Sequence, residues 1–279
     1  MNKKLKVVIG ACIALAAGSV ICGTMIVTKG YDALTTGDYE EVEYEVDGGF
    51  ADIVIEADCD DVRIIRTGDE CRVVCKEFND IGHDVDVDGD TLTIVQHEGN
   101  DRKSGMFFFN METPLITVYL PESEYGKLTV RSDSGDVVIE EGLIFDEVDV
   151  RIETGDLECD AEVTGSLQAL ISVGDVLVND VSTGELDITS VTGDIELNSV
   201  TAEDWISVST ITGDVEFDRC DAADVEIQVT TGDISGSFLR AMDFDANASI
   251  GDIIIPRADE DGGRCRLTTG TGDITIDIA

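Results

Sequence analysis

Eight aspartates recur at nearly constant spacing in the second half of the chain, and each of them directly follows a glycine. Successive pairs are 19 to 21 residues apart. The eight are Asp136, Asp156, Asp175, Asp194, Asp214, Asp233, Asp252 and Asp273. Carboxylate oxygens are the ligands that Ca²⁺ prefers, and unit charges about 4.8 Å apart repel by about 0.9 kcal/mol in water. Bound cations would offset this repulsion, so the row is a weak candidate for binding Ca²⁺ or another divalent cation.

The residue types that carry catalysis form no recognisable motif. His83 and His97 lie outside the regular repeat, and the chain has no nucleophile elbow, phosphate-binding loop or dinucleotide fingerprint. A polysaccharide-active solenoid enzyme would need a basic proton acceptor, and the arginines of the second half hold no consistent position in the repeat. We therefore expect a protein that is not an enzyme and has no cofactor, with the polysaccharide-active enzyme as a remote alternative.

One acidic segment matches half of a calcium-binding loop. The segment runs from Asp84 to Asp90 and fits the first half of an EF-hand loop, but Val95 stands where that loop needs a bidentate glutamate. Valines also alternate where an EF-hand helix should enter. The segment instead predicts a β-hairpin that turns at Asp88-Gly89.

The cysteines do not form a zinc motif. Cys59 can pair with Cys71 or with Cys75, and the sequence leaves both pairings open beside a reduced state. Cys159 and Cys265 fall at inward-facing positions of the repeat, so we expect them to be buried as small hydrophobic side chains.

The elements that position the aspartates are short segments of alternating apolar residues. Val148, Val150 and Ile152 precede Gly155, for example, and Leu157 follows it. Period-two alternation is typical of a strand with one buried face, and these segments are too short and too β-branched for helices. Two main strands in every 19 to 20 residues, each stacked on its equivalent in the next coil, predict an all-β parallel β-solenoid. Glycine supplies the positive φ of each corner, and the aspartate can bond the corner amides.

The chain divides into three predicted sections. Residues 1–29 are an N-terminal transmembrane anchor or signal segment, residues 30–127 are an irregular β-rich first section or cap, and residues 128–279 are the regular β-solenoid with Gly-Asp corners. The net charge of −42 accompanies a hydrophobic content of 43%, which predicts a substantial core beneath an acidic surface. Such a polyanion excludes nucleic acid and acidic lipid as partners through its general field.

The first section has the pattern of a membrane anchor. Lys3, Lys4 and Lys6 precede Val7–Val27, a run of 21 uncharged residues that is long enough to cross a bilayer. Lysines on this short flank predict that the N-terminus lies inside and the solenoid lies outside the cell membrane, in a single-pass protein. A cleaved signal peptide and lipidation at Cys12 are the alternatives.

Three consecutive aromatic residues, Phe107, Phe108 and Phe109, stand out in a chain that is only 5% aromatic. They are candidates for contact with a partner or a membrane. Such a run more often packs as a lid over one end of the solenoid.

Several motifs occur together in a fixed order. A lysine-flanked apolar segment is followed by Ile116-Thr117-Val118-Tyr119-Leu120-Pro121, by Leu128-Thr129-Val130 running into Ser134-Gly135-Asp136, and then by Thr-Gly-Asp-Ile coils. Over roughly residues 45–279 this order resembles a bacterial family of predicted adhesins built from β-strand repeats. The resemblance implies an envelope-attached β-solenoid, associated in some relatives with envelope-stress signalling, and it implies no catalytic residues.

Two function classes follow from these expectations. The first is an extracytoplasmic, adhesin-like or envelope-stress-associated module that binds an envelope or surface protein or polysaccharide. The second is a structural solenoid that assembles end to end, because the last coil, Asp273 to Ala279, has no capping helix or charged tail and leaves a strand edge open.

Overall fold

A computed structural model of the chain describes residues 25–28, 39–46, 49–68, 70–78, 81–98, 114–259 and 262–279. Every regular element within these ranges is a β-strand. The first twelve strands are β1 Met25–Thr28, β2 Tyr39–Glu45, β3 Asp52–Ala57, β4 Asp61–Thr67, β5 Arg72–Phe78, β6 Ile81–Asp88, β7 Thr91–Glu98, β8 Leu115–Pro121, β9 Glu124–Ser134, β10 Val137–Ile139, β11 Ile144–Thr154 and β12 Leu157–Cys159. The other twelve are β13 Glu162–Val173, β14 Val176–Asn179, β15 Ser182–Thr192, β16 Ile195–Asn198, β17 Thr201–Thr212, β18 Val215–Cys220, β19 Asp224–Thr231, β20 Ile234–Phe238, β21 Asp243–Ile250, β22 Ile253–Ile254, β23 Arg264–Thr271 and β24 Ile274–Ile278.

The strands form two large, mostly parallel sheets. Sheet A has 13 strands in the order β1-β2-β5-β8-β4-β10-β12-β14-β16-β18-β20-β24-β22. Sheet B has 11 strands in the order β21-β23-β19-β17-β15-β13-β11-β9-β3-β7-β6. Antiparallel pairs among the described strands occur near the N-terminal end, at β1–β2, β2–β5, β5–β8 and β6–β7. This all-β arrangement of stacked parallel strands is consistent with a β-solenoid.

Equivalent residues of successive coils lie directly beside one another. In sheet B, Val148 pairs with Leu167, Leu167 with Leu186, and Leu186 with Ile206. All four side chains are buried, and each contributes about 1.5–3 kcal/mol through burial of apolar surface. The core therefore lies between the two sheets, as the period-two alternation predicts.

The glycine corners line up along one edge, as the sequence predicts. All eight Gly-Asp glycines have φ between +140° and +148°. A Cβ added to Gly193 would lie 1.9 Å from the carbonyl oxygen of Gly174 in the coil before it. Only glycine fits such a corner, because the backbones of neighbouring coils touch where a side chain would start.

The coil stack begins before the regular repeat of the sequence. Strand β3 pairs in parallel with β9, with Ile53 beside Leu128, and β4 pairs in parallel with β10, with Val62 beside Val137. Residues 52–67 therefore form a coil that stacks directly on the first regular one. Along the chain, the segment from β5 to β8 lies between these two coils, and we call it the inserted segment. Its β6–β7 hairpin turns at Gly89, which confirms the predicted hairpin.

The order of the last coils differs from their order in the sequence. Strand β23 lies between β19 and β21, and β24 lies between β20 and β22. The final stretch of chain, which was expected to leave an open edge at Asp273 to Ala279, is covered on both sides. The open edges at this end belong instead to β21 and β22. The connection back passes through Gly263, where an added Cβ would lie 2.7 Å from the Ala223 carbonyl oxygen.

The N-terminal expectations fall largely outside the described ranges. Of the predicted span from Val7 to Val27, the structure describes only residues 25–27, which belong to the antiparallel strand β1. A search of the described residues finds no helix of the length and apolarity needed to span a bilayer. The six cysteines within the described ranges are free thiols, so Cys59 pairs with neither Cys71 nor Cys75. Cys159 and Cys265 are buried, as predicted.

Candidate functional site

The corner aspartates form a continuous hydrogen-bonded ladder. The backbone N–H of each corner aspartate donates to the Oδ1 atom of the aspartate in the neighbouring coil, over 2.7 to 3.0 Å. The ladder begins at Asp61 of the first coil and follows the spatial order of the coils, so that Asp252 stands at its end. The order along the ladder is Asp61, Asp136, Asp156, Asp175, Asp194, Asp214, Asp233, Asp273 and Asp252.

These hydrogen bonds offset the repulsion along the row. A hydrogen bond to a charged acceptor is worth about 1.5–3 kcal/mol, which exceeds the pairwise repulsion of about 0.9 kcal/mol expected in water. Within the described residues, no group of three or more His, Cys, Asp or Glu side chains is arranged to hold a metal ion. The assignment of the corner aspartates as weak candidates for binding a divalent cation remains a prediction.

A shallow groove of about 550 Å³ runs beside the ladder across sheet A. Its floor carries Val138 and Leu177 together with Glu158, Glu196 and Glu216. With the corner aspartates on one side, the groove is strongly acidic. The side chains that line it are carboxylates and aliphatic groups.

The second predicted site, Phe107 to Phe109, lies outside the described residues. Its assignment as a contact for a partner remains a prediction.

A buried polar cluster occupies the inserted segment, and the sequence did not predict it. The imidazole of His83 lies between two carboxylates, with Nε2 3.3 Å from Oδ2 of Asp60 and Nδ1 3.3 Å from Oε1 of Glu77. The hydroxyl of Tyr44 donates to the His83 carbonyl over 2.9 Å. Asp60 is fully buried, and its Oδ1 has no hydrogen-bond partner within the described part of the chain.

The environment of His83 favours the protonated imidazole. Burial alone would lower its pKa, but hydrogen bonds with Asp60, Cys75 and Glu77 outweigh burial and raise the pKa to about 11. A buried imidazolium paired with carboxylates is a structural anchor between strands β4, β5 and β6.

The cluster has the residue types of a cysteine–histidine–aspartate triad, but its environment opposes catalysis. The side chain of Cys75 is fully buried, and burial raises the pKa of its thiol. A nucleophilic cysteine needs a thiolate and access to substrate. Through His83 the cluster links Asp60 of the first coil to Glu77 of β5.

The outer face of sheet B carries an area without charge. On strands β13, β15, β17, β19, β23 and β21 it consists of residues 170, 172, 173, 189, 191, 192, 209, 211, 212, 228, 230, 231, 268, 270, 271, 247, 249 and 250, none of which is Asp, Glu, Lys or Arg. We name this set the uncharged face. Six strands at about 4.8 Å spacing make it about 24 Å wide.

Four exposed apolar side chains lie together within the uncharged face. Leu170 and Val173 are 47% and 49% exposed, and Val191 and Ile211 are 42% and 52% exposed. They lie on three neighbouring strands, with Thr192 paired to both Val173 and Thr212. Charged residues border this face on both sides. Asp187 and Glu226 precede it on β15 and β19, and the corner aspartates follow it. The uncharged face could have been found in the sequence, because Ser, Thr and Val stand at the outward positions of these strands.

Comparison with known proteins identifies the family. The Toastrack DUF4097 profile matches residues 50–279. The chain belongs to the Toastrack family. The matched range starts close to β3, at the first coil of the structure, so the Toastrack domain includes the inserted segment. This confirms the resemblance to bacterial β-strand-repeat proteins.

Solved structures are similar to this chain at low sequence identity. A candidate lipid-binding protein from Parabacteroides distasonis is similar with a TM-score of 0.53 and 18% identity, over 86% of this chain and 97% of that chain. A candidate adhesin from Bacteroides fragilis has a TM-score of 0.49 and 17% identity, over 87% of this chain and 97% of that chain. A search of curated proteins returns no match.

Proposed function

We propose that this Toastrack protein is a non-catalytic, adhesin-like binding module of the cell envelope, and that it docks its partner on the uncharged face. The observation that carries the proposal is this face itself, because it is an exposed apolar and hydroxyl-rich area on a protein of net charge −42.

Charge explains why this face is favoured over the rest of the surface. Docking over a carboxylate removes the water that solvates it, which is costly unless the partner supplies a matching positive charge. The uncharged face has no such cost, and burial of Leu170, Val173, Val191 and Ile211 adds a favourable term. Its threonines and serines provide donors and acceptors for an uncharged protein or polysaccharide surface.

The envelope location is part of the same proposal. The uncharged run Val7–Val27 and its lysine flank support a single membrane span with the Toastrack domain outside. The descriptions of structural neighbours as candidate adhesin and candidate lipid-binding protein agree with a role in contact rather than catalysis. An association with envelope-stress signalling is the more specific form of this role.

One matched pair of variants tests the docking face. Ile211→Glu adds a charge at the centre of the uncharged face, between Val191 and Thr230. Thr275→Glu adds the same charge on the outer face of sheet A, between Ser235 and Ile254. Both positions are exposed and both have uncharged neighbours.

The readout is capture of envelope components by the full chain. Cells that produce the wild type or either variant are cross-linked, and proteins and polysaccharides that co-purify are quantified. We expect the amount of captured partner to be at least tenfold lower for Ile211→Glu than for the wild type, and to be unchanged for Thr275→Glu. Equal capture by all three would refute docking on this face. Antibody access to a tag after Ala279 on intact cells tests the location separately, and access only after lysis would contradict it.

A further inference from the structure

We propose that the Toastrack domain forms a closed, twofold-symmetric dimer with a second copy of this chain, by antiparallel pairing of strand β21 with β21 of the second copy. The contact lies at the end of the coil stack that β21 and β22 leave open. It shares with the uncharged face only the β21 residues Asn247, Ser249 and Ile250.

This end has two strand edges without a neighbour among the described strands. Strand β21 is the last strand of sheet B, and β22 is the last strand of sheet A. The N–H of Asp243 donates to the Gly263 carbonyl, so the odd-numbered residues from Asp243 to Asn247 bond to β23, and at the end of the strand the Ile250 carbonyl accepts from Gly272. Alternate residues of a strand bond to opposite sides. The N–H and C=O groups of Phe244, Ala246 and Ala248 therefore face the open edge, where they can template another strand.

The same end exposes apolar side chains. Ile250 is 68% exposed, Ile254 is 63% exposed and Ile253 is 41% exposed. The inward-facing side chains of Phe244, Ala246 and Ala248 are only partly buried, whereas the residues beside them in β23 are fully covered. Apolar side chains next to free backbone groups are typical of a surface that another chain covers.

The sequence of β21 is complementary to itself in one register. A twofold axis perpendicular to the sheet keeps inward residues beside inward residues, and an axis at Ala246 places that residue beside its own copy. Phe244 then faces Ala248, so a large side chain meets a small one. Asp243 faces Ser249 and Asp245 faces Asn247, which gives each carboxylate a hydrogen-bond donor. No aspartate of β21 lies directly opposite another aspartate.

Charge opposes the head-to-tail alternative. The edge of sheet B at the other end is β6, whose exposed residues are Asp84, Asp86 and Asp88. Stacking β21 on β6 would bring Asp243 and Asp245 beside this acidic row, and like charges directly opposite are destabilising. The symmetric contact avoids this repulsion. It also pairs the open β21 edge of each copy, so that no free edge remains there and assembly stops at two chains.

Cross-linking at the symmetry axis is the most direct test. In a hydrogen-bonded antiparallel pair, the Cα atoms lie about 5.5 Å apart, within the range of a disulfide. Ala246→Cys, in a full chain with Cys12, Cys22 and Cys59 changed to serine, should therefore form a covalent dimer under mild oxidation. Asp243→Cys on the same strand is the control, because its copies would lie about 20 Å apart along the strand. Equal cross-linking of both variants, or of neither, would overturn the register.

A second variant separates dimerisation from folding. Ala246→Pro removes an N–H that faces the open edge, so the monomer keeps its ladder bonds, and proline is tolerated on such an edge. Size-exclusion chromatography with light scattering on the full chain in non-ionic detergent should give a dimer for the wild type and a monomer for Ala246→Pro, with matching circular dichroism. The dimer should tighten as NaCl rises from about 0.1 M to about 1 M, because the screening length falls from about 10 Å to about 3 Å. A wild-type monomer, filaments, or a dimer that survives Ala246→Pro would each overturn the proposal.

Discussion

The corner glycines offer the sharpest test of the coil stack, and Gly193→Ala is the perturbation of choice. Gly193 has φ of +143°, and an added Cβ would meet the Gly174 oxygen at 1.9 Å and its carbonyl carbon at 2.5 Å. Both atoms are backbone, so they cannot rotate away as the end of a side chain can. The substitution must therefore separate two coils at the corner.

The expected cost combines two terms. An alanine in this glycine-only region of backbone space costs about 1–3 kcal/mol. Separation of the corners also weakens the bond of 2.8 Å from the Asp194 N–H to Asp175 Oδ1, which is worth about 1.5–3 kcal/mol. We expect a total loss of about 4 kcal/mol in the free energy of unfolding. At roughly 2–4 °C for each kcal/mol in a chain of this size, the melting temperature should fall by roughly 8–16 °C.

The matched control is Gly68→Ala. Gly68 has no atom within 4 Å of an added Cβ and is exposed. This substitution should be neutral or stabilise by about 0.4–1 kcal/mol through the unfolded state. Urea unfolding followed by circular dichroism measures both variants. A loss below about 1 kcal/mol for Gly193→Ala, or equal effects of the two substitutions, would refute the view that neighbouring backbones touch at the corners.

Three further predictions concern the ladder and the buried histidine. Asp194→Ala should lower the free energy of unfolding by about 1 kcal/mol, because Asp214 N–H loses an acceptor worth about 1.5–3 kcal/mol while repulsion of about 0.9 kcal/mol from each neighbouring aspartate is relieved. Asp194→Asn keeps an acceptor and removes the charge, so it should be more stable than Asp194→Ala; denaturant melts that rank Asn below Ala would contradict this. Ca²⁺ and NaCl at matched ionic strength should raise the melting temperature equally, and a larger shift with Ca²⁺ would reveal specific cation sites. His83 has a pKa of about 11 in the fold against an unfolded value of 6.5, so its contribution is complete below pH 6.5 and is lost as pH rises toward 11. The stability difference between wild type and His83→Asn should shrink across that window, and a constant difference would argue against a protonated His83.

The repeat could be predicted because its constraints are local. A glycine is needed at every corner, and apolar residues alternate on both sides of it, so the spacing along the chain alone reveals the coils. The first coil escaped prediction because Asp58-Cys59-Asp60 stands where the other coils have a glycine corner, and because the segment from β5 to β8 separates it from the second coil. The His83 cluster escaped because Asp60, just before β4, and Glu77, in β5, come together only through a strand arrangement that the sequence does not reveal.

The exchange of the last two coils has a physical reason in their side chains. The inward residues of β21 are Phe244, Ala246 and Ala248, and those paired with them in β23 are Cys265, Leu267 and Thr269. At the central inward position alanine is outermost, and Leu267 is buried between Ala246 and Ile227 of β19.

If the coils stacked in the order of the sequence, the coil formed by β23 and β24 would lie at the open end. Leu267, Ile274 and Ile276 are fully covered in the observed order. In sequential order they would line the end of the rod, and each could lose part of the roughly 1.5–3 kcal/mol that burial of a large aliphatic side chain provides.

In the observed order Phe244, Ile253 and Ile255 occupy positions at this end and remain partly exposed. The two orders differ most clearly at one layer, where Leu267 rather than Ala246 packs beside Ile227. Full burial of this leucine is the apolar gain that the observed order provides.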